Sequence, residues 1–266
     1  MRLLATLTAL TSSLMLTACI HNGPNPDDPY ESVNRRIHRF NTVFDNILLK
    51  PPAKLYKAVL PAAVRASINN FYDNINLIPT VANDILQWDW HNASNDAGRF
   101  VINSSIGLAG IFDVAKQYNL PMHRNDLGLT FARWGDKKSP YIVIPLLGPS
   151  TIRDGMGMMF EYTFLTPYPY IRNDAVLYSL LGVRYIDLRS QFLDTDRYIA
   201  EALDPYTFIR DAYLQHRNFM INGEVADNAT GGEAYLDDGA NDYVDDIPEA
   251  TTPALLPAVT DKKTSH

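Results

Sequence analysis

The sequence predicts a mostly α-helical protein folded as a single domain, and three observations carry that prediction. Apolar residues recur at helical spacing, first at Val33, Ile37, Phe40, Phe44 and Ile47, then at Val64, Ile68, Phe71 and Ile75. Prolines stand at the borders of these patterns, where helices start or stop. The most strand-like stretch, Tyr141 to Pro149, carries Pro145, which cannot donate to the ladder of a central strand.

The elements begin at Asp28, a candidate N-cap, with Pro29 at the first helical position and Glu31 placed to complete a capping box. The stripe from Val33 to Ile47 keeps a 4-3-4-3 spacing on one helix face, and Pro51-Pro52 end it. Pro61 opens a second helix, and Pro79 opens another through Val81, Ile85 and Leu86. Asn95 to Ser104 reads as helix until Gly107 and Gly110 break the uncharged run from Ile102 to Phe112. Short helices are expected at Asp113–Tyr118 and Leu127–Trp134, and long ones at Asp174–Leu193 and Pro205–Ile221. Asp194, Asp196 and Asp204 read as helix caps. Asn34, Asn41, Asn69 and Asn103 read as residues that cap or bridge helices.

Composition sets further bounds. Of 266 residues, 46% are hydrophobic and 11% aromatic, enough for a sizeable core. The single cysteine, Cys19, rules out stabilisation by intrachain disulfides. The net charge of −7 is unevenly spread: residues 223–266 hold ten acidic groups against Lys262 and Lys263, while residues 1–222 are close to neutral. That acidic, Gly- and Pro-containing tail is expected to be disordered. No Lys/Arg cluster marks one face, so no nucleic-acid partner is expected.

The amino terminus is more specific. Arg2 precedes an apolar run from Leu3 to Leu16, and the run ends in Leu16-Thr17-Ala18-Cys19. This is the layout of a lipobox, in which cleavage before Cys19 frees the thiol and amine for acylation. Two or three acyl chains hold a protein stably to a bilayer. The expected organisation is a signal peptide over 1–18, a lipidated tether over 19–27, a helical domain over 28–222 and the tail over 223–266.

A search for chemistry finds little. There is no phosphate-loop, nucleophile-elbow, zinc-helix or EF-hand motif. His38, His91, His123 and His216 are scattered and read as surface or structural residues. The expectation is a non-enzyme without cofactor or metal. From Gly155 to Ile171 the chain is rich in Met and aromatic residues, with Glu161 its only charge before Arg172. That pattern suits either a segment in or near lipid or a core helix followed by a Pro-rich loop.

The opening Asp28-Pro29-Tyr30-Glu31-Ser32-Val33-Asn34-Arg35, followed by Phe40-Asn41, resembles the MlaA (VacJ) family of outer-membrane lipoproteins. The resemblance continues through Arg99-Phe100 with Asn103, Gly107-Leu108-Ala109-Gly110 with Phe112-Asp113, Gly148-Pro149-Ser150-Thr151-Ile152-Arg153-Asp154, and Asp204-Pro205-Tyr206. It spans roughly residues 28–222. Departures are Leu127-Gly128 where the family has Phe-Gly, Phe131-Ala132 where it has Leu-Gly, and a glycine-poor loop at Gly135–Ser139.

The resemblance implies a ring-like helical domain with amphipathic membrane-embedded helices and a central channel. It also implies association with a trimeric porin and transfer of outer-membrane phospholipids to a periplasmic phospholipid carrier (MlaC-like). On that implication Ile106, Leu108 and Ile111, with Ile142, Ile144 and Leu146, are candidate channel residues. Met158, Phe160 and Phe164 are the candidate membrane-facing set. The alternative is a structural lipoprotein that stabilises porins or the envelope without moving lipid.

Overall fold

The computed structural model describes residues 25–222; the lipobox Leu16–Cys19 and the acidic tail from residue 223 lie outside the described residues. Helix α1 (Glu31–Phe44) passes through a π turn (Asp45–Leu49) into α2 (Lys50–Val59), and α3 (Ala62–Leu86) and α4 (Trp90–Ser105) follow as an adjacent pair. After a 3₁₀ turn (Ala115–Tyr118) come α5 (Leu127–Trp134) and an antiparallel hairpin, β1 (Tyr141–Ile144) and β2 (Gly148–Thr151). Then α6 (Ile152–Phe160) enters a second π turn (Glu161–Leu165), and α7 (Asp174–Gln191), α8 (Asp196–Glu201) and α9 (Pro205–Asn222) complete the domain. The mostly α expectation holds. No helix among the described residues is long and apolar enough to cross a membrane.

Prolines start or interrupt helices here rather than ending them. Pro51 and Pro52 occupy the first turn of α2, where no intrahelical N–H is needed, so the chain stays helical through this point. Pro79 lies inside α3, which does not restart there. Thr80 donates to the Asn76 carbonyl and Asn83 to the Pro79 carbonyl, both at 2.9 Å, so side chains support the turns around the missing N–H.

Other boundaries also differ from expectation. Asp28 is not an N-cap: it is fully buried, Tyr30 holds the cap position, and Glu31 pairs with Arg35 at 2.7 Å. Helix α4 starts a turn early because Asp89 caps it through the Asn92 N–H. The Tyr141 stretch pairs as a hairpin with Pro145 in its turn, where no ladder bond is required. Asp194 and Asp196 are ion-pair partners of Lys57 and of Lys50 and Arg189, whereas Asp204 does cap α9 through the Tyr206 N–H at 3.1 Å.

The interior is built largely from hydrogen bonds. Twenty polar or charged side chains are buried among the described residues against eleven hydrophobic ones, the reverse of a water-soluble core. Asn34 and Asn41, two helical turns apart on α1, bond only main-chain atoms of the hairpin segment and the buried Asp28. Asn34 donates to the Tyr141 carbonyl at 3.1 Å and accepts from Val143 N at 2.9 Å. Asn41 repeats the pattern on the Ile144 carbonyl and Leu146 N at 2.9 and 2.8 Å. Asp28 takes Asn34, the Tyr206 hydroxyl and Arg210, joining α1 to α9. Helices α5 and α6 meet at glycines: a Cβ on Gly157 would come within 2.6 Å of the Gly128 nitrogen.

Glu161, at the start of the second π turn, accepts from the Leu127 N–H at 2.6 Å and from Asn83, capping α5 from outside its own chain segment. Burial, with the Asp126 charge acting the same way, pushes its carboxyl up from 4.5 to about 7. The folded chain therefore binds this proton more tightly than the unfolded chain, and the contribution is fully present below pH 4.5 and lost as pH rises through about 7. Glu161→Gln is expected to flatten this slope and to raise the melting temperature at pH 8 by several degrees. Melts between pH 5 and pH 8 check it, and an unchanged slope would assign the titration to another group.

Candidate functional site

Many large apolar side chains stand exposed on the outer surface. Along α1 and α2, Phe40, Val43, Ile47, Leu48, Leu55 and Val59 are all exposed, as are Met156, Met159, Phe160 and Phe164 on α6 and its π turn. At the α3–α4 corner Trp88 and Trp90 stand out together with their rings edge to face. So many exposed large apolar side chains suit contact with lipid or protein, and exposed tryptophans suit the headgroup level of a bilayer.

Between α3 and α7 lies an apolar cleft of about 390 Å³. Helix α3 lines it with Val64, Ile68 and Phe71, α7 with Leu180 and Val183, and the α4–α5 connection with Ile111. Ser67 and Ser179 add only hydroxyls, and the volume falls within the roughly 300–1,000 Å³ typical of ligand pockets. Tyr72 forms part of the wall and ties the helices, its hydroxyl donating to the Leu180 carbonyl at 2.7 Å. The Arg184 guanidinium lies over the Tyr72 ring and beside Asp73 and Asp187. A greasy cleft thus borders a charged network, which is the profile of a site for an amphiphile.

The wall at Ile111 depends on an unusual loop. Leu108, Ala109 and Gly110 are consecutively left-handed, at φ 52, 59 and 90. Side chains would not fit at its glycines, because a Cβ on Gly110 would strike Asn74 and one on Gly107 the Phe112 carbonyl. A buried frame holds the strained turn in place. Arg99 grips both Asp113 oxygens at 2.9 Å, while Asn103 donates to Asp113 and accepts from Ala115 N, each at 2.9 Å.

The residues nominated from the sequence fall into separate places. Ile111 lines the cleft, while Ile106 and Leu108 are exposed on the same loop. Ile142 and Ile144 lie half-buried on β1, with Leu146 exposed in the hairpin turn, and these three are not part of the cleft. Met158, Phe160 and Phe164 are exposed on and after α6. Cys19 is outside the described residues. The sequence reading missed Leu180, Val183 and Arg184 as site residues. The α7 period was visible, but the helix facing it was not.

The MlaA lipoprotein family profile matches residues 26–220. An uncharacterised protein of Rickettsia bellii is 36% identical over 195 residues, covering 73% of this chain and 76% of that one. The intermembrane phospholipid transport system lipoprotein MlaA of Escherichia coli K12 is 30% identical over 218 residues, covering 79% of this chain and 85% of the relative. A solved structure described as "Structural basis for maintenance of bacterial outer membrane lipid asymmetry" is 30% identical, with a TM-score of 0.65, and covers 73% of this chain and 99% of its own. The motifs that build the Asp28 hub and the Arg99 frame lie inside the matched span, and the chain belongs to the MlaA lipoprotein family.

Proposed function

We propose that this chain is an outer-membrane lipoprotein of an intermembrane phospholipid transport system, taking phospholipid that has strayed into the outer leaflet and passing it to a periplasmic carrier. The observation that carries the reading is the apolar cleft beside the Arg184 network, in a protein whose large apolar side chains face outward. The Escherichia coli relative, named as the lipoprotein of an intermembrane phospholipid transport system, supports it. Residues 1–18 would be removed and Cys19 acylated. The α1–α2 face and the Met156–Phe164 surface would lie in the inner leaflet, next to a trimeric porin.

Exposing two sixteen-carbon chains to water costs on the order of 20 kcal/mol. A phospholipid therefore needs an apolar route up to the moment a partner's pocket receives it. Acyl chains would follow the α3–α7 cleft and Ile111, with the headgroup along Tyr72, Asp73 and Arg184. Direction would come from the acceptor's affinity.

Ile111→Asp and Val183→Asp test this. Each position is about 40% exposed, so a carboxylate there leaves the fold intact while placing charge in the acyl path. Phospholipid on the cell surface is expected to accumulate in both variants as it does on deletion, with transfer to a carrier in vitro falling at least about tenfold, equivalent to 1.4 kcal/mol. Cys19→Ala should also fail to restore transport. Normal surface phospholipid in the cleft variants, with porin levels or envelope integrity disturbed on deletion, would instead support a structural lipoprotein.

A further inference from the structure

Away from the cleft, where the carboxyl end of α3 meets α4 and the segment leading to α5, three metal-ligating side chains converge. Asp84 comes from α3, Asp96 from α4 and His123 from the connecting segment, and one ligand atom from each lies within 4.8 Å of the others. Both aspartates are fully buried and His123 is part-exposed, which leaves a path from solvent.

The electrostatics of this cluster are incomplete. Two carboxylates share one low-dielectric site, and among the described residues each ion-pairs only with His123, whose Nδ1 lies 3.1 Å from Asp96 Oδ2 and 3.5 Å from Asp84 Oδ1. Two buried carboxyl groups this close favour a shared cation or a shared proton. Amide groups around the cluster engage one oxygen of each carboxylate, on Asp84 the same Oδ1 that faces His123 and on Asp96 the opposite one. Asn125 donates to Asp84 Oδ1 at 2.7 Å and Asn95 to Asp96 Oδ1 at 2.9 Å, fixing both carboxylates in orientation as outer-shell partners of metal ligands do. Asp84 Oδ2 is left buried with no hydrogen-bond partner, a bare acceptor within the cluster.

We propose that Asp84, Asp96 and His123 form a binding site for a divalent transition-metal ion of the zinc type, which fastens α3, α4 and the segment before α5 to one another. Bonds of about 2.0–2.2 Å to tetrahedral Zn²⁺ put neighbouring ligand atoms about 3.3–3.6 Å apart. The two His123 separations lie at or close to that spacing. Two carboxylates and an imidazole supply three ligands, and water supplies the fourth. Calcium requires six to eight oxygens, and magnesium discriminates against nitrogen, so a site with three protein ligands including imidazole selects against both. Asp84 stands two residues before the end of α3, so the ion would anchor the corner that carries Trp88 and Trp90.

The test uses the full chain in detergent after chelator treatment and dialysis, with Zn²⁺ and Mg²⁺ as probes. Calorimetry and metal analysis are expected to give one Zn²⁺ per chain above whatever Asp96→Asn retains, and Zn²⁺ but not Mg²⁺ should raise the melting temperature by several degrees. Asp96→Asn removes one of the three ligands, so it should gain nothing from Zn²⁺. His123→Ala should bind Zn²⁺ at least tenfold more weakly. Equal zinc uptake by the parent and both variants, or no zinc-dependent shift in the parent, would overturn the proposal, as would an equal response to Mg²⁺.

Discussion

Gly107→Val is expected to cost about 3 kcal/mol or more, because the new Cβ must occupy space held by main-chain atoms that cannot swing aside. Those atoms include the carbonyl of Phe112, just past the left-handed loop, and that of Asn103 in the last turn of α4. For a domain of this size the loss corresponds to roughly 6–12 °C in melting temperature. Transport should fall with it, since the loop places Ile111 against the cleft. Gly182→Ala on α7 provides the contrast. A Cβ there meets nothing within 4 Å, and alanine in a helix interior is favoured over glycine by roughly 0.5–1 kcal/mol. If Gly107→Val melted within a degree of the parent, the close approach at this loop would not be a determinant of stability.

Arg217→Ala should be comparably damaging for an electrostatic reason. Arg217 holds Asp126 through both oxygens at 2.6 and 3.0 Å and reaches Asp154 at 2.8 Å, so one side chain of α9 secures the cap of α5 and the first turn of α6. Asp154 also receives the Tyr213 hydroxyl at 2.8 Å. Burial would raise the Asp154 carboxyl, yet Arg217, those hydrogen bonds and Arg153 hold it below its ordinary value. Deleting the guanidinium leaves a buried carboxylate short of its counter-charge, a change that costs about 3–5 kcal/mol. The depressed pKa gives the penalty a sign with pH: it is full above the ordinary carboxylate range and shrinks as Asp154 is protonated. Chemical denaturation at pH 7 and pH 4 reads both effects. Arg197→Ala, which breaks a solvent-exposed pair with Glu201 at 4.0 Å, should change stability by less than about 1 kcal/mol. Equal losses from the two arginines would mean that burial at Arg217 does not matter.

The helices were legible in the sequence because the 3.6-residue period survives whichever side of a helix faces inward. The inward side was not. The apolar stripe that runs along α1 into the π turn includes Phe40 and Ile47, both exposed, while Asn34 and Asn41 face the hairpin. A reader who assumes an apolar interior turns such a helix the wrong way round. Pro79 misled for a related reason: its cost inside α3 is met by Thr80 and Asn83, whose side-chain bonds depend on a fold already formed. The loop glycines were visible as breaks, and the structure adds why they must be glycine. The cleft could not be read because Ile68 and Leu180, on different helices, stand more than 100 positions apart, and no pattern in one sequence pairs them. His123 looked isolated for the same reason, its neighbours Asp84 and Asp96 being distant in the chain.

The hub at Asp28 ties the beginning of the domain to its end, at a sequence separation of 178 from Tyr206. Synthesis runs in one direction, so α1 exists long before the helix that completes its bonding is made. Contacts of such long range form late and slowly. Until they form, Asp28 lacks Tyr206 and Arg210, Arg35 lacks Asp204, and Asp126 lacks Arg217. A chain that stops before α9 would leave Asp28 short of Tyr206 and Arg210, and Asp126 and Asp154 short of Arg217, at about 1–3 kcal/mol for each such group left unsatisfied. The last helix therefore acts as a completeness check on the product: full-length chains can close, and shortened ones stay open to the proteases that clear unfinished proteins.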